Sequence, residues 1–178
     1  MKMNDYISDF TKHLTEALEI GQTTLLSEPH ADIHNVLICG LGGSGIGGTI
    51  VNDLVSEHIN VPISATKDYS IPNFVDENTL VIASSYSGNT EETLYALEAC
   101  QMRRAQIACV TSGGVLEKLA KKKGFNCIII PDGQPPRAMF GYSFTQLFFL
   151  LNHYGLIDNS FMSEFDIKLF TDFKRPSL

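Results

Sequence analysis

Residues 79–93 read Thr-Leu-Val-Ile-Ala-Ser-Ser-Tyr-Ser-Gly-Asn-Thr-Glu-Glu-Thr. The first six residues are an unbroken apolar run that closes on serine, without the alternation of a strand that is wet on one face. A strand covered on both faces has this composition, which points to a parallel sheet between helices. The run ends in a hydroxyl-rich turn through Gly88. Residues 91–102, Glu-Glu-Thr-Leu-Tyr-Ala-Leu-Glu-Ala-Cys-Gln-Met, then take up helical patterning. The stretch is one strand–loop–helix unit, and its neighbours repeat it.

Upstream, residues 35–39 (Asn-Val-Leu-Ile-Cys) run into a glycine-rich turn and a helical stretch over 46–57, followed by a weaker strand at 61–66. Downstream, a strand at 106–111 leads to a helix over 115–123 closed by Gly124. A strand at 126–131 leads to a very apolar helix over 138–154 closed by Gly155. Before the first strand, Ile7, Phe10, Leu14, Leu18 and Leu25 or Leu26 recur at helical spacing and predict a helix over 3–27. Gly21 is expected to interrupt it, and Glu28 and Pro29 to stop it. Five strands alternating with helices predict an α/β fold: a three-layer αβα sandwich on a five-stranded parallel sheet in flavodoxin-like order, with ligands at the carboxyl ends of the strands. Residues 1–155 form the expected domain, and residues 156–178 a linker or packing helix with Phe161, Phe165 and Leu169.

The 178 residues carry 13 Lys and Arg against 20 Asp and Glu, a net charge of −7. The only basic run, Lys121 to Lys123, is too short for a nucleic-acid face, so no nucleic-acid partner is expected. No apolar run reaches the roughly 18 residues of a membrane span, and the polar start does not resemble a signal peptide. Cys39, Cys100, Cys109 and Cys127 have no Cys-x-x-Cys spacing and are read as buried free thiols, as in a cytoplasmic protein. His13, His30, His34, His58 and His153 show no metal-ligand spacing, so no metal is expected.

Three segments carry chemistry. After the first strand comes Gly40-Leu41-Gly42-Gly43-Ser44-Gly45. Glycines between a strand and a helix let backbone approach an anion at the helix N-terminus, or simply allow close packing. The spacing also satisfies a dinucleotide fingerprint with Asp68 as ribose acid, a weak signal by itself. The turn after the third strand offers more. Ser85, Ser87 and Thr90 present hydroxyls and backbone N–H groups around one point, and Gly88 lets the loop close. A phosphate monoester fits such donors. Helix capping by Ser87 or Asn89, with Glu92 completing a capping box, is the competing reading. Glu91 and Glu92 are weak candidates for a base. The third segment, Gly133 to Ala138, places Arg137 at a helix start, either beside a substrate or in a surface salt bridge.

Taken together, the Ser85–Thr90 run, the Gly42-Gly43-Ser44-Gly45 turn and Pro136-Arg137-Ala138 resemble the sugar isomerase (SIS) domain. Over roughly residues 1–155 the match is close to the bifunctional phosphoglucose/phosphomannose isomerases. The resemblance implies an aldose–ketose isomerase interconverting glucose 6-phosphate or mannose 6-phosphate with fructose 6-phosphate, without cofactor. Ser85, Ser87 and Thr90 would hold the phosphate group, and Gly43 and Ser44 would contact the sugar. Arg137 would stabilise the enediolate. Members of that family carry two SIS modules, with the catalytic glutamate and a ring-opening histidine on the second. This chain is expected to represent the first module, to hold no catalytic base, and to act weakly or not at all alone. A homodimer or a second module is the expected partner. Phe140, Phe144, Leu147, Phe148, Phe149 and Leu151 on the last helix form either an association surface or a buried layer. A phosphosugar-binding module without catalysis and a nicotinamide-dependent oxidoreductase are the alternatives.

Overall fold

The computed structural model describes residues 9–164. The chain forms helix α1 (Phe10–Thr23), β1 (Asn35–Cys39), α2 (Gly43–Val55), β2 (Ile63–Thr66), β3 (Thr79–Ser84) and α3 (Glu91–Met102). It continues with β4 (Gln106–Thr111), α4 (Gly114–Lys123), β5 (Asn126–Ile129), a 3-10 turn (Pro136–Met139), α5 (Phe140–His153) and α6 (Asn159–Glu164). All five strands are parallel, in the order β2-β1-β3-β4-β5. This is the flavodoxin-like α/β order the sequence predicts.

Strand residues alternate between two cores. Val36, Ile38, Leu80, Ile82, Val110 and Ile128 face Val51, Val55, Leu147 and Phe148 of α2 and α5. Leu37, Val81, Ile107 and Cys109 face Ala96, Leu97, Leu116 and Ala120 of α3 and α4. Both faces are dry, which is why β3 and β4 are buried along their whole length and read as continuous apolar runs. The edge strands β2 and β5 are partly exposed, and their patterns are correspondingly weaker. The chain leaves β1 towards β2 on one side and returns to β3 on the other. That reversal opens a crevice between the carboxyl ends of β1 and β3.

Two expectations at the first helix are corrected. Within the described residues α1 ends at Thr23, short of Glu28. The Thr23 and Thr24 hydroxyls donate back to the Glu19 and Ile20 carbonyls (2.7 Å each), and Thr24 turns extended. Leu25 is therefore 98% exposed, and Leu26 is the residue that reaches the core. Gly21 does not interrupt α1. A Cβ there would lie 2.1 Å from the Phe149 ring, so the glycine marks where α1 and α5 touch. Replacing Gly21 with alanine is expected to lower stability by about 1–3 kcal/mol through overpacking, although alanine is the better helix former. A lowered urea midpoint at unchanged slope checks this.

The last helix is not an association surface. Phe144, Leu147, Phe148 and Leu151 are all buried, and so are Thr145 and Gln146. Gln146 donates to the Ala17 carbonyl at 2.8 Å, and the Tyr142 hydroxyl donates to Glu16. Burial and then the adjacent Glu16 carboxylate push the Tyr142 hydroxyl well above its usual range. A helix apolar all round is a central helix, here sandwiched by α1, α2 and the sheet. The exposed apolar row lies on α2 instead, where Ile46, Ile50 and Leu54 follow one another at four-residue spacing.

Past residue 155, Ile157 is buried and Phe161 stacks on Phe148 with ring centroids 5.7 Å apart, so this part of the tail packs on the core. Phe165 and Leu169 lie outside the described residues. Cys39, Cys100 and Cys109 are buried free thiols, but Cys127 is only half-buried. Among the described residues no helix is long and apolar enough to cross a membrane.

Candidate functional site

The cleft at the carboxyl ends of β1 and β3 has three walls. The first is the start of α2, which begins at Gly43 and so takes in the glycines expected to form a turn. Gly42 holds φ +58°, and Ile46 N–H makes the first helical bond, to the Gly42 carbonyl. The N–H groups of Gly43, Ser44 and Gly45 thus have no carbonyl of their own helix to bond. The remaining glycines serve packing. A Cβ on Gly45 would lie 2.6 Å from the Gly40 carbonyl, and one on Gly48 2.9 Å from Ile38.

The second wall is the 85–90 loop. Ser85 continues the line of β3, its N–H donating to the Val110 carbonyl at 3.0 Å, and it is buried. Its hydroxyl lies 2.8 Å from the Thr90 hydroxyl. Ser85 therefore stands behind Thr90, whereas Ser87 and Thr90 line the cleft. The capping reading is overturned. Thr90 is the N-cap of α3 and makes no side-chain cap bond. The Asn89 carbonyl group accepts from Val115 N–H at 3.1 Å, and the Ser87 hydroxyl accepts only from Asn89 N–H at 3.2 Å.

A fourth loop, which the sequence reading passed over, clamps this wall. Ser112 donates twice to the Tyr86 carbonyl, from N–H at 2.9 Å and from its hydroxyl at 2.6 Å. Leu116 N–H donates to the Gly88 carbonyl at 2.9 Å. A Cβ on Gly88 would fall 1.8 Å from the Gly113 carbonyl, and one on Gly114 2.3 Å from the Ser87 carbonyl. The signal was present in Thr111-Ser112-Gly113-Gly114, again small residues after a buried strand.

The third wall is the 3-10 turn after β5. Gln134 N–H donates to the Tyr86 hydroxyl at 3.2 Å, tying this loop to the second wall. Pro136 and Arg137 line the cleft with Phe140 and Ser143 of α5. Phe140 and Ser143 were legible only as core residues of the last helix. Arg137 is exposed and has no ion pair among the described residues, so the surface salt bridge is not formed.

Gly43, Ser44, Ser87, Thr90 and Arg137 thus border one solvent-open cleft with about 130 Å³ of interior space. Ser85 supports it from behind. The lining contains one cation and no carboxylate or imidazole. Glu91 is exposed and does not line it. Glu92 borders a separate crevice with Lys67, Asp68 and Thr93. That crevice encloses essentially no space, and Asp68 lies on it and not on the cleft that gathers Ser44, Ser87 and Arg137. Two helix N-termini, the hydroxyls of Ser44, Ser87 and Thr90 and a guanidinium around one space make an anion site.

The fold is that of the sugar isomerase (SIS) domain seen in solved phosphosugar isomerases. A solved structure described as a phosphosugar isomerase, from Clostridium difficile 630, matches 98% of the chain and 53% of its own length with a TM-score of 0.79 at 15% identity. The Vibrio vulnificus NanR protein, solved with ManNAc-6P, matches 90% of the chain and 59% of its own length with a TM-score of 0.53 at 17% identity. By sequence the chain is similar to the bifunctional phosphoglucose/phosphomannose isomerases. That of Caldicellulosiruptor bescii is 43% identical over 156 residues, 88% of this chain and 46% of the relative. That of Thermoplasma volcanium is 47% identical over 107 residues, 60% of this chain and 33% of the relative. The chain spans less than half the length of these curated relatives. No family model matches it.

Proposed function

We propose that this chain is the phosphate-anchoring module of an aldose–ketose isomerase acting on glucose 6-phosphate, mannose 6-phosphate and fructose 6-phosphate. The observation that carries the reading is a cleft with convergent neutral donors and one unpaired guanidinium, but no base. Ser87 and Thr90, with the N–H groups at the start of α3, hold the phosphate. Gly43 and Ser44 contact the sugar. Arg137 stabilises the enediolate charge as a proton moves between C1 and C2. Anchoring the far end of the substrate fixes the reacting carbons and supplies effective molarity. The route is proton transfer and calls for no cofactor.

The base and the ring-opening group come from a second module, in keeping with relatives more than twice as long as the matched region. Residues 1–155 are the module proper, and Ile157 and Phe161 of the segment that follows pack on its core. The exposed row Ile46, Ile50 and Leu54, near Leu41 at the cleft rim, is the surface on which a second module or a second copy would sit. Four free thiols are consistent with a cytoplasmic location.

The lack of a base in the lining also supports a second reading, a phosphosugar-binding module without catalysis. A coupled assay of fructose 6-phosphate to glucose 6-phosphate conversion, run beside calorimetric binding of the same sugar phosphate, separates the two. The expected result is binding with turnover at background for the chain alone, and turnover once a second module is supplied in trans. Binding that never becomes turnover with any such module leaves the non-catalytic reading. Absence of binding removes both.

A further inference from the structure

We infer that Cys127 and Cys109 form a peroxide-sensitive dithiol that closes to a disulfide between β5 and β4. The two residues are paired directly in the parallel ladder. Registered neighbours in adjacent strands lie about 4.8 Å apart and project to the same face, inside the Cα separation a disulfide spans. Both belong to the core on the α3 and α4 side of the sheet.

Their exposures divide the roles. Cys109 is fully buried, while Cys127 is half-buried and lines a solvent-open cleft with Lys121, Glu117, Asn126 and Leu25. That cleft has about 290 Å³ of interior space, ample for a small oxidant. A hydrogen bond from the Cys109 thiol lowers the Cys127 thiol. Burial and Glu117 oppose this, and Lys121 adds to the lowering. The same contact and burial raise Cys109 well above its usual range. Cys127 is thus the attacking thiolate and Cys109 the resolving thiol.

The chemistry balances. The Cys127 thiolate attacks hydrogen peroxide, an S–O bond forms as the O–O bond breaks, and the leaving hydroxide takes a proton to become water. The Cys109 sulfur then attacks the sulfenic acid. An S–S bond forms, the S–O bond breaks, and the Cys109 proton leaves with the hydroxyl as a second water. Both sulfurs are oxidised and one peroxide is reduced. A ladder holds Cβ atoms slightly farther apart than a disulfide prefers, so the bond is strained and readily reduced. β5 is an edge strand and takes up the shift.

Cys39 and Cys100 supply an internal control. They also approach one another, but both are buried. The test is peroxide titration of the intact chain, with thiol counting and mass mapping after denaturing alkylation. The expected result is loss of two of the four thiols, one cross-link joining Cys109 to Cys127, and full recovery with dithiothreitol. Cys109→Ser should stop at a sulfenic acid on Cys127 that dimedone traps. Cys127→Ser should slow peroxide consumption by on the order of tenfold or more. A cross-link between any other pair, oxidation of Cys39 or Cys100 ahead of Cys127, or unchanged kinetics in Cys127→Ser would overturn the proposal. If the buried serine prevents folding, the map of the unsubstituted chain decides.

Discussion

Replacing Gly88 with alanine is expected to cost the fold about 2–4 kcal/mol and to abolish sugar-phosphate binding. Two physical terms add. Gly88 sits at φ +65°, where an L side chain costs about 1–2 kcal/mol. Its Cβ would also fall 1.8 Å from the Gly113 carbonyl and 2.8 Å from the Thr111 hydroxyl, and neither is the loose end of a flexible chain. The 85–90 loop must therefore lift off the β4–α4 turn. That breaks the bonds from Ser112 to Tyr86 and from Leu116 to Gly88 and moves Ser87 and Thr90 out of the cleft. Gly124 makes the comparison clean. It holds φ +72° at the end of α4, and a Cβ there meets nothing within 4 Å. Gly124→Ala should cost about 1 kcal/mol and leave binding unchanged. Urea midpoints and calorimetric affinities for the two variants, measured side by side, check the difference. Equal losses in both variants would show that backbone conformation alone matters at Gly88 and that the loop is not clamped.

That clamp also marks where the sequence stops being legible. The parallel sheet followed from uninterrupted apolar runs, because β3 and β4 are dry on both faces. The position of the cleft followed from the same fact, since a doubly wound sheet places its loops at the carboxyl ends of the strands. What the pattern did not show is which hydroxyl faces which way. Ser85, Ser87 and Thr90 look alike as letters, yet Ser85 still obeys the alternation of β3 and takes one further ladder bond before the chain turns. Its direction is set by the neighbouring strand, not by its type. The last helix kept two readings for a related reason. Six large apolar residues exceed what one helix face can bury, and only the three-sided enclosure by α1, α2 and the sheet accommodates them. Gly21 carries the only trace of that enclosure in the sequence, and glycine in a helix has several readings.

The hydroxyl pair Ser85–Thr90 gives the sharpest test of which residues touch the phosphate. Thr90→Val keeps the shape of the side chain and removes its hydroxyl. A hydrogen bond to a charged group is worth about 1.5–3 kcal/mol, so affinity for the sugar phosphate should fall by roughly 10- to 150-fold. The same change strands the buried Ser85 hydroxyl, and stability should drop by about 1–3 kcal/mol. Ser85→Ala removes a group that orients Thr90 without bordering the cleft, so its binding loss should be several-fold at most. With Thr90 already replaced, Ser85 has no hydroxyl left to orient. The double variant should therefore bind no worse than Thr90→Val alone, a coupling of about 1 kcal/mol between residues in contact. Part of the stability lost in Thr90→Val should also return, because no buried hydroxyl is left unpaired. Ser87→Ala borders the cleft and makes no bond to either residue, so its loss should add to that of Thr90→Val. If the Ser85 and Thr90 losses add instead, Ser85 reaches the phosphate itself. The anchor would then lie deeper, against the end of β3, where a Cβ on Gly40 would fall 3.0 Å from the Ser84 carbonyl.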